Sequence, residues 1–484
     1  MKKLLGTALG GLLFGACPAG PGLAPPTDQL FFPVSVVADA AGQKLYVSNG
    51  NFNTNFDGGT ITVLDLVQIE TDGQACRAAQ QNNTAAPTNC QITAPNPPTL
   101  CVTENGRCSL TDLTLPYIDK AATVTTASFA GDFLALPNSN RVFFPVRGDQ
   151  SLSFMDINPA ATGEAAIDCA ATLVETGDDL DPTRRRCSGD HVMLTDREGS
   201  DNDFGTIIPG FSSGVFSAAV DLGREVPGVG ATDLLYVSHL DNGFLSVFRL
   251  APDGTPIFQR SELLKIGVNQ MAVQPQTGTL FVIRRSLFVD GVTVNGDSIE
   301  QVQPRISDDD PSQLELFLVG SLRLDLFDSG GLDYRSIAFG KNGDRLYIGM
   351  ANPSSVAVLD TSLDQFGEPK NQILARIDVD QVPEQMKLVQ TADGGELLYI
   401  TDFSNGRVHV IDGDLLDAGG ARTSINVGAG PFGIEQITLP GDLRRLVVTN
   451  FAEDTLSFID ADPASPTHNQ VLYRVGAPRP AEEN

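Results

Sequence analysis

The feature that most constrains this chain is a pair of short apolar strands that recurs seven times along it. In the clearest copies, an LYV-like run ends in a polar turn and a second strand then closes on an acidic residue. These copies read LYVSN at 45–49 followed by TITVLDL, RLYIGMANPSSVAVLD at 345–360, LLYITDFSNGRVHVID at 397–412 and RLVVTNFAEDTLSFID at 444–459. Strand-sized self-similarity is typical of radial or stacked repeat folds. The pattern therefore predicts an architecture more strongly than an activity.

Each repeat can be divided into four strands separated by Gly- or Asp-containing turns, with period-2 alternation inside the strands. With the second strand as the anchor, the seven copies fall at Tyr46, Phe143, Tyr236, Phe281, Tyr347, Tyr399 and Val447. The last three are 52 and 48 residues apart, which suits one four-stranded blade each. We predict an all-β fold, a seven-bladed β-propeller of four-stranded antiparallel blades with disulfide-pinned loop insertions. No helical stretch of convincing length is expected.

The organisation along the chain follows from these repeats. The predicted segments are a lipoprotein-type signal at 1–17, a Pro/Gly tether at 18–29, the propeller at 30–476 with insertions at about 67–122, 157–212 and 286–328, and a polar tail at 477–484. The chain is expected to begin with an inner strand and to finish with an outer strand of the last blade, at 471–475. Ring closure would then depend on packing between blades, unless a segment is exchanged across the seam.

The first residues have the pattern of a targeting signal. Lys2 and Lys3 precede an apolar stretch, Leu4 to Phe14, that is too short to span a bilayer. Gly15, Ala16 and Cys17 resemble the end of a bacterial lipoprotein signal, with Phe14 where such signals usually have Leu. We expect lipidation at Cys17, so that the protein is exported and held at a membrane in the periplasm or at the cell surface. A simple secreted protein is the alternative.

The other six cysteines agree with export, because an even number in an exported chain indicates disulfides. They are Cys76, Cys90, Cys101, Cys108, Cys169 and Cys187. Their clustering favours one bridge between Cys169 and Cys187 and two bridges among the first four. Metal ligation is the weaker interpretation, because no paired CxxC pattern is present.

Charge limits the class of partner. Asp and Glu number 60 against 32 Lys and Arg, so the formal net charge is −28. Such a field repels nucleic acid and anionic lipid, so we expect no nucleic-acid partner and membrane contact only through the N-terminal lipid. Solubility explains the charge most simply, and binding of a cation or a basic partner is the alternative. The oligomeric state does not follow from the sequence.

The segments LYVSN, LLYITD and LVVTN, the VxVxD strands and the INVGAGPFGI joint at 425–434 resemble the YVTN-type β-propeller repeat of bacterial surface and periplasmic proteins. The resemblance covers most of 30–476 and is loose in the second to fourth repeats. It implies seven blades, which agrees with the seven copies counted above.

Motifs for catalysis are scarce. The four histidines, His191, His239, His409 and His468, form neither an HxH nor an HExxH pair. The chain contains no GxxxxGKS loop, no CxxCH haem site and no tryptophan. His239 is of most interest, because it directly follows a second strand, where a loop at the rim of the propeller would begin.

Three acidic loops could bind calcium, because oxygen-rich loops suit a hard cation. They contain Asp178, Asp179 and Asp181, then Asp201 and Asp203, then Asp308, Asp309 and Asp310. None has the EF-hand spacing with its closing Glu, and solvated acidic loops are the simpler interpretation. We predict no resident cofactor, with calcium as the cation to consider.

The candidate site is geometric. Loops after the second strands and loops entering the inner strands are expected to converge around the central channel, which could form a ligand pocket. The resulting channel-rim set is Asn49, Arg147, His239, Gln270, Arg284, Arg335, Glu384, Gln385, Asp402 and Asn450. The alternative is that these residues cap turns and satisfy loop backbone.

Together these features predict a binding or scaffold module of the bacterial cell envelope in preference to an enzyme. Its partner would be an envelope protein or a small ligand. The first alternative is a metal-dependent, lactonase-like hydrolase with a channel metal held by carboxylates, Asn and His239. The second is a redox-associated propeller subunit, although a haem-attachment motif and tryptophan are missing.

Overall fold

The computed structural model describes most of the repeat region. The described residues are 23–176, 179–196, 204–289, 292–294, 298–324, 333–340, 342–391, 394–418 and 422–479. The predicted signal segment with Cys17 and the acidic residues Asp178, Asp201 and Asp203 lie outside them. Within these ranges, no helix is both long enough and apolar enough to cross a membrane.

The strands of the first three blades, and of the insertions between them, come first in the chain. They are β1 (Pro33–Ala38), β2 (Lys44–Asn49), β3 (Gly59–Asp65), β4 (Cys90–Gln91), β5 (Thr99–Leu100), β6 (Thr103–Glu104), β7 (Arg107–Cys108), β8 (Val124–Thr126), β9 (Leu134–Ala135), β10 (Arg141–Val146), β11 (Ser151–Ile157), β12 (Ile167–Asp168), β13 (Thr172–Thr176), β14 (Asp179–Arg186), β15 (Val192–Leu194), β16 (Thr206–Ile207), β17 (Val215–Val226), β18 (Gly230–His239), β19 (Phe244–Leu250) and β20 (Pro256–Leu263).

The last four blades follow. Their strands are β21 (Val268–Val273), β22 (Leu280–Arg284), β23 (Leu287–Val289), β24 (Val292–Val294), β25 (Ile299–Ile306), β26 (Leu314–Leu322), β27 (Asp333–Phe339), β28 (Arg345–Asn352), β29 (Ser354–Asp360), β30 (Gln372–Asp378), β31 (Pro383–Gln390), β32 (Glu396–Asp402), β33 (Arg407–Asp412), β34 (Arg422–Asn426), β35 (Pro431–Leu439), β36 (Leu443–Asn450), β37 (Thr455–Asp460) and β38 (Val471–Val475). Three short 3₁₀ helices complete the described elements: Gly163–Ala166, Gly189–His191 and Gly413–Ala418.

These strands form seven antiparallel blades, which confirms the predicted seven-bladed β-propeller. From the inside outwards, the blades are β1-β2-β3-β8, β9-β10-β11-β15, β17-β18-β19-β20, β21-β22-β25-β26, β27-β28-β29-β30, β31-β32-β33-β34 and β35-β36-β37-β38. The seven predicted second-strand centres, from Tyr46 to Val447, all lie in the second strand of a blade and are completely buried. The apolar second strands form the cores between neighbouring blades because both of their faces are covered.

The ring closes where blade 1 meets blade 7. The inner strands β1 and β35 pack side by side, and the Thr449 hydroxyl donates to the Val34 carbonyl oxygen at 3.2 Å. All four strands of blade 7 are consecutive in the chain, and β38 is its outer strand, as predicted. Packing between blades therefore closes the inner part of the seam.

The first insertion closes the outer part of the seam. Its strand β5 pairs in parallel with β38, so a segment from blade 1 extends the outer edge of blade 7. The second insertion repeats this arrangement, since β14 pairs in parallel with β8 and extends blade 1. Each insertion therefore connects its own blade to the preceding one, and the exchange across the seam left open by the sequence does occur.

The expectation of no substantial helix is wrong, because the first insertion begins with the helix α1 (Leu66–Asn82). The Asp65 side chain caps the helix by accepting from the Gln68 amide at 2.9 Å. The helix packs against β38, and Gly73 faces the Tyr473 ring at a distance that leaves no room for a side chain. Small and polar residues on this helix weaken its apolar periodicity, so the periodicity alone did not reveal it.

Three disulfides connect the insertions internally, as the clustering of the cysteines predicted. The bridges are Cys76–Cys90, Cys101–Cys108 and Cys169–Cys187. The first ties α1 to β4, and the second joins the loop after β5 to the short hairpin β6-β7.

The predicted third insertion, 286–328, is mostly blade. Two of its segments, β25 and β26, are the third and fourth strands of blade 4. The hairpin β23-β24, which lies between the second and third strands of that blade, is the extra element.

Candidate functional site

The inner strands are irregular near their first residues, and this irregularity builds the site. In six of the seven blades the pairing of the inner strand with the second strand slips at its beginning. The slips lie between Pro33 and Ser35, Val215 and Ser217, Val268 and Met271, Tyr334 and Ser336, Pro383 and Met386, and Pro431 and Ile434. A β-bulge frees a residue from the ladder and redirects its side chain. Here the freed residues face the central channel.

The freed residues line one cavity of about 140 Å³. Every blade contributes to it, which places it at one mouth of the channel. We call it the channel-mouth pocket and define it by Val34, Phe52, Phe129, Ala130, Gly131, Asp132, Arg147, Phe216, Asn269, Gln270, Arg285, Arg335, Glu384, Gln385 and Phe432. In blade 2, whose inner strand β9 is short, residues 129–132 take the place of the bulge.

One side of the pocket is aromatic. Phe52, from the loop after β2, packs edge-to-face on Phe129 with ring centroids 5.1 Å apart, and on Phe451 at 4.9 Å. Phe52 is 37% exposed and lines the pocket, so its ring is accessible to a ligand. Phe216 and Phe432 complete this side from blades 3 and 7. The rings form a wall suited to the apolar part of a small molecule.

The other side of the pocket contains three arginines. Arg335 is held in place, since its guanidinium pairs with Asp333 at 2.8 Å and with Glu384 at 3.6 Å. Arg147 lies over the Phe216 ring, 5.6 Å from its centroid. Neither Arg147 nor Arg285 forms a side-chain hydrogen bond or an ion pair with any residue that the structure describes. Two guanidinium groups are therefore available to a ligand.

The charges around Arg285 show how costly this arrangement is. Burial lowers the pKa of Arg285, and the nearby guanidinium groups of Arg335 and Arg147 lower it further, against the opposing effect of Glu384 and Asp333. Like charges gathered in a partly dehydrated pocket repel one another. An anion placed between them would relieve this repulsion.

Asp132 is the carboxylate of the pocket that stands apart from the arginine pairs. It accepts a hydrogen bond from the Gln385 amide at 2.6 Å. Burial raises the pKa of Asp132 to about 6, although the bond from Gln385 opposes the shift. A carboxyl group that changes charge near pH 6 in a cleft is a candidate for a functional role.

The channel-rim set divides into two groups. Arg147, Gln270, Arg335, Glu384 and Gln385 line the channel-mouth pocket. The other five, Asn49, His239, Arg284, Asp402 and Asn450, do not face the channel, so their predicted position on the rim is wrong. Each of them ends a second strand and is buried inside its blade. Whether the first group binds a ligand remains a prediction.

Asn49 and Asn450 show why the second group is buried. The Asn49 amide donates to the hydroxyls of Thr60 and Thr62, at 3.0 and 3.3 Å, on the neighbouring third strand. In blade 7, the Asn450 amide donates to Thr455 and to Ser457, both at 2.9 Å. The side-chain oxygen of each also accepts a hydrogen bond from a backbone amide. Each side chain therefore provides hydrogen-bond partners for polar groups near the end of the strand that would otherwise have none. They hold the blade together.

His239 makes two bonds inside blade 3. Its Nδ1 lies 2.9 Å from the Ser213 carbonyl oxygen, which can only accept, so Nδ1 carries the proton. Its Nε2 then accepts from the Ser246 hydroxyl at 2.7 Å. Burial lowers the pKa of His239 to about 4, although the bond to Ser213 opposes the shift. The ring is a neutral part of the blade core.

Arg284 and Asp402 are likewise occupied. The Arg284 guanidinium donates to the Ile266 carbonyl at 2.7 Å and to Ser298 at 3.0 Å. Asp402 lies 3.3 Å from His409 and accepts from Asn405 at 2.9 Å. Burial alone would raise the pKa of Asp402, but these two hydrogen bonds lower it overall.

The sequence interpretation missed Asp132, Asn269, Arg285 and the four phenylalanines of the pocket. A signal was present in the inner strands, which often begin with a buried Pro or Val followed by the residue that faces the channel. Pro33-Val34, Val215-Phe216 and Pro431-Phe432 show this pattern. Arg285 lies one residue beyond the predicted Arg284.

The acidic loops are the candidate sites for a cation. Within the described part of the chain, no group of three or more His, Cys, Asp and Glu side chains converges to hold a metal ion. In the third acidic loop, Asp308 is 3.3 Å from Arg305, and Asp310 accepts from Ser312 at 2.7 Å. The other two acidic loops lie wholly or partly outside the described residues, so calcium binding there stays a prediction.

No protein-family model matches the chain, and no curated protein does. Its fold is similar to that of a periplasmic gluconolactonase of Pseudomonas aeruginosa, at 11% identity and a TM-score of 0.49 over 84% of this chain and 89% of that one. A putative 6-phosphogluconolactonase of Bacteroides fragilis has 12% identity and a TM-score of 0.46 over 83% and 86%. Hydrazine synthase of Kuenenia stuttgartiensis has 11% and 0.47 over 90% and 97%. At these values the likeness concerns the fold, and no residue role is transferred.

Proposed function

We propose that this protein is an exported β-propeller of the bacterial cell envelope whose channel-mouth pocket binds a small organic anion. The observation that carries the proposal is that Arg147 and Arg285 line one cavity and that their guanidinium groups have no hydrogen-bond or ion-pair partner among the described residues. The chain as a whole has a net charge of −28, so a local excess of free arginine groups is not a consequence of composition.

The anion is expected to be a carboxylate or a phosphate, because a planar guanidinium offers paired donors to either group. The body of the ligand would lie against the rings of Phe52, Phe129 and Phe216. A ligand with one charged end and one apolar end therefore suits both sides of the pocket. The cavity limits it to the size of a small metabolite.

The test is a titration calorimetry panel of small carboxylates and phosphates against their uncharged amide or alcohol counterparts. We expect the anions to bind and the neutral counterparts to bind at least about tenfold more weakly, since charged hydrogen bonds are the stronger ones. Arg285→Gln should lower the affinity for every anion. Equal binding of charged and neutral members, or no binding by any anion, would contradict the proposal.

Asp132 favours a second candidate, a lactonase-like hydrolase in which this carboxylate acts as a general base. Its raised pKa suits a group that accepts a proton near neutral pH. Turnover of sugar and aliphatic lactones, with and without added calcium or a chelator, tests this activity. Loss of turnover in Asp132→Asn would support the candidate, whereas unchanged turnover or none in the native protein would end it.

Export and anchoring are part of the first proposal. The three disulfides support an oxidising compartment. The lipoprotein-like run that ends at Cys17 and the resemblance to the YVTN-type repeat support a tethered envelope protein. Metabolic labelling with a fatty acid, compared between the native chain and Cys17→Ser, tests the lipid anchor. Absence of label in the native chain would leave secretion as the route.

A further inference from the structure

Asn269 is a buried residue of the channel-mouth pocket whose hydrogen bonding is incomplete. It is freed from the ladder by the bulge in β21 and is only 2% exposed. Its side-chain nitrogen donates to the carbonyl oxygens of Tyr334 and Arg335, both at 3.3 Å. Its side-chain oxygen Oδ1 accepts no hydrogen bond within the described structure.

The orientation of this amide is determined by its neighbours. Both groups facing the nitrogen are carbonyls, which can only accept, so rotating the amide by 180° would place an acceptor against two acceptors. Oδ1 therefore keeps its position. A buried acceptor without a donor is costly, so its presence at a pocket calls for an explanation.

The open acceptor lies close in the fold to a free cation. The backbone amide of Arg285 donates to the carbonyl of Gly267, two residues before Asn269, at 2.7 Å. Asn269 and Arg285 thus belong to the same end of blade 4 and line the same cavity. One ligand can satisfy both if its anionic group and a hydrogen-bond donor are close together.

We infer that the ligand of this pocket is a small carboxylate with a hydrogen-bond donor next to its carboxyl group, a 2-hydroxy acid or a 2-amino acid. The carboxylate binds Arg285, the hydroxyl or ammonium donates to Asn269 Oδ1, and the apolar part lies on the phenylalanine rings. This inference rests on the proposed function and specifies its ligand class.

The experiment compares matched acids by titration calorimetry on the full chain. One series is 3-phenylpropionate, phenyllactate and phenylalanine, and a smaller series is butyrate, 2-hydroxybutyrate and 2-aminobutyrate. We expect an acid with a hydroxyl or ammonium donor to bind about tenfold more tightly than its parent acid. The donor can form a hydrogen bond to Asn269 Oδ1, which the parent acid cannot. The hydroxyl and ammonium members distinguish the two sources of the donor.

Two variants locate the effect. Asn269→Ala should remove the preference for the donor while leaving the parent acid bound, and Arg285→Gln should weaken all acids without changing the preference. The comparison of acids in the native protein stands by itself if Asn269→Ala does not fold.

The outcomes separate the two proposals. If the parent acids bind as tightly as those with a donor, water satisfies Oδ1 and this inference is wrong, while the anion site stands. If no member of either series binds, the inference is wrong, and the proposed function then depends on the wider anion panel.

Discussion

Arg284 and Arg285 are neighbours in the chain and belong to two different regions of the molecule. Arg284 ends a second strand, is 6% exposed and donates to groups of its own blade. Arg285 is the next residue and lines the channel-mouth pocket, without a side-chain partner among the described residues. The first region is the buried layer of polar residues at the ends of the second strands. The second is the channel-mouth pocket, which bulged residues and neighbouring loop residues line.

The difference teaches which polar residues of a propeller are available for function. In the buried layer, Asn49, His239, Arg284, Asp402 and Asn450 all have side-chain hydrogen-bond partners, because the ladder ends there and its last groups must be satisfied. In the channel, the bulges place polar groups where neighbouring blades cannot reach all of them. Residue type does not separate the two regions, since Arg284 and Arg285 differ in their hydrogen-bond partners and not in their chemistry.

The largest effect is expected from breaking a buried pair. Asp402→Ala leaves His409 and Asn405 without their acceptor, and should lower the free energy of unfolding by about 3 to 5 kcal/mol. Chemical denaturation followed by circular dichroism measures this loss. Asp402→Asn is the matched control, because it keeps an acceptor oxygen and should cost less. A variant as stable as the native protein would show that this layer is not structural.

His239 should make blade 3 sensitive to acid. Its pKa in the folded protein is about 4, below the ordinary value of 6.5, so the unfolded chain binds the proton more readily. The contribution of the neutral His239 ring to the free energy of unfolding is fully present above pH 6.5. About 3 kcal/mol of it is lost as the pH falls towards 4. Denaturation midpoints across this range, compared with His239→Gln, test it. The pH dependence should be smaller in the variant, and identical curves would contradict the assignment.

The adjacent residues Arg284 and Arg285 should differ in their effects on stability and on anion affinity. Arg284→Gln should lower the free energy of unfolding by about 2 kcal/mol, because buried carbonyl acceptors lose a charged donor. Arg285→Gln should change it by less than about 0.5 kcal/mol, as for an unpartnered site. For anion affinity the order should be reversed, with a loss only in Arg285→Gln. Equal effects of the two changes would remove the distinction between the regions.

The smallest effect concerns pH and binding at the pocket. Protonation of Asp132, whose pKa is about 6, removes a negative charge from a site that binds anions. Anion affinity should therefore rise several-fold between pH 7 and pH 5, measured with an acid that stays ionised throughout. Asp132→Asn should bind tightly at both pH values. Affinity that falls on acidification in the native protein would contradict this role.

The candidate site could be predicted only in part, and particular residues show why. Arg335, Glu384 and Gln385 were identified because they enter inner strands, which surround the channel in any propeller. Asn49 and Asn450 were misplaced because a loop position was assumed for residues that are still within the strand. Arg285 was missed because the last paired residue of β22 is Arg284, and a boundary shift of one residue reverses the side of the sheet on which a side chain lies.

The sequence by itself determined the seven blades, their second strands and the Cys169–Cys187 bridge, because alternation, turn residues and cysteine spacing are local signals. Only the tertiary structure decided how the insertions join neighbouring blades, and which polar groups remain open in the channel. Both depend on contacts between residues far apart in the chain, as between β5 and β38 or between Asn269 and Arg335. A polar residue is free or occupied according to its spatial neighbours, and the local pattern does not contain them.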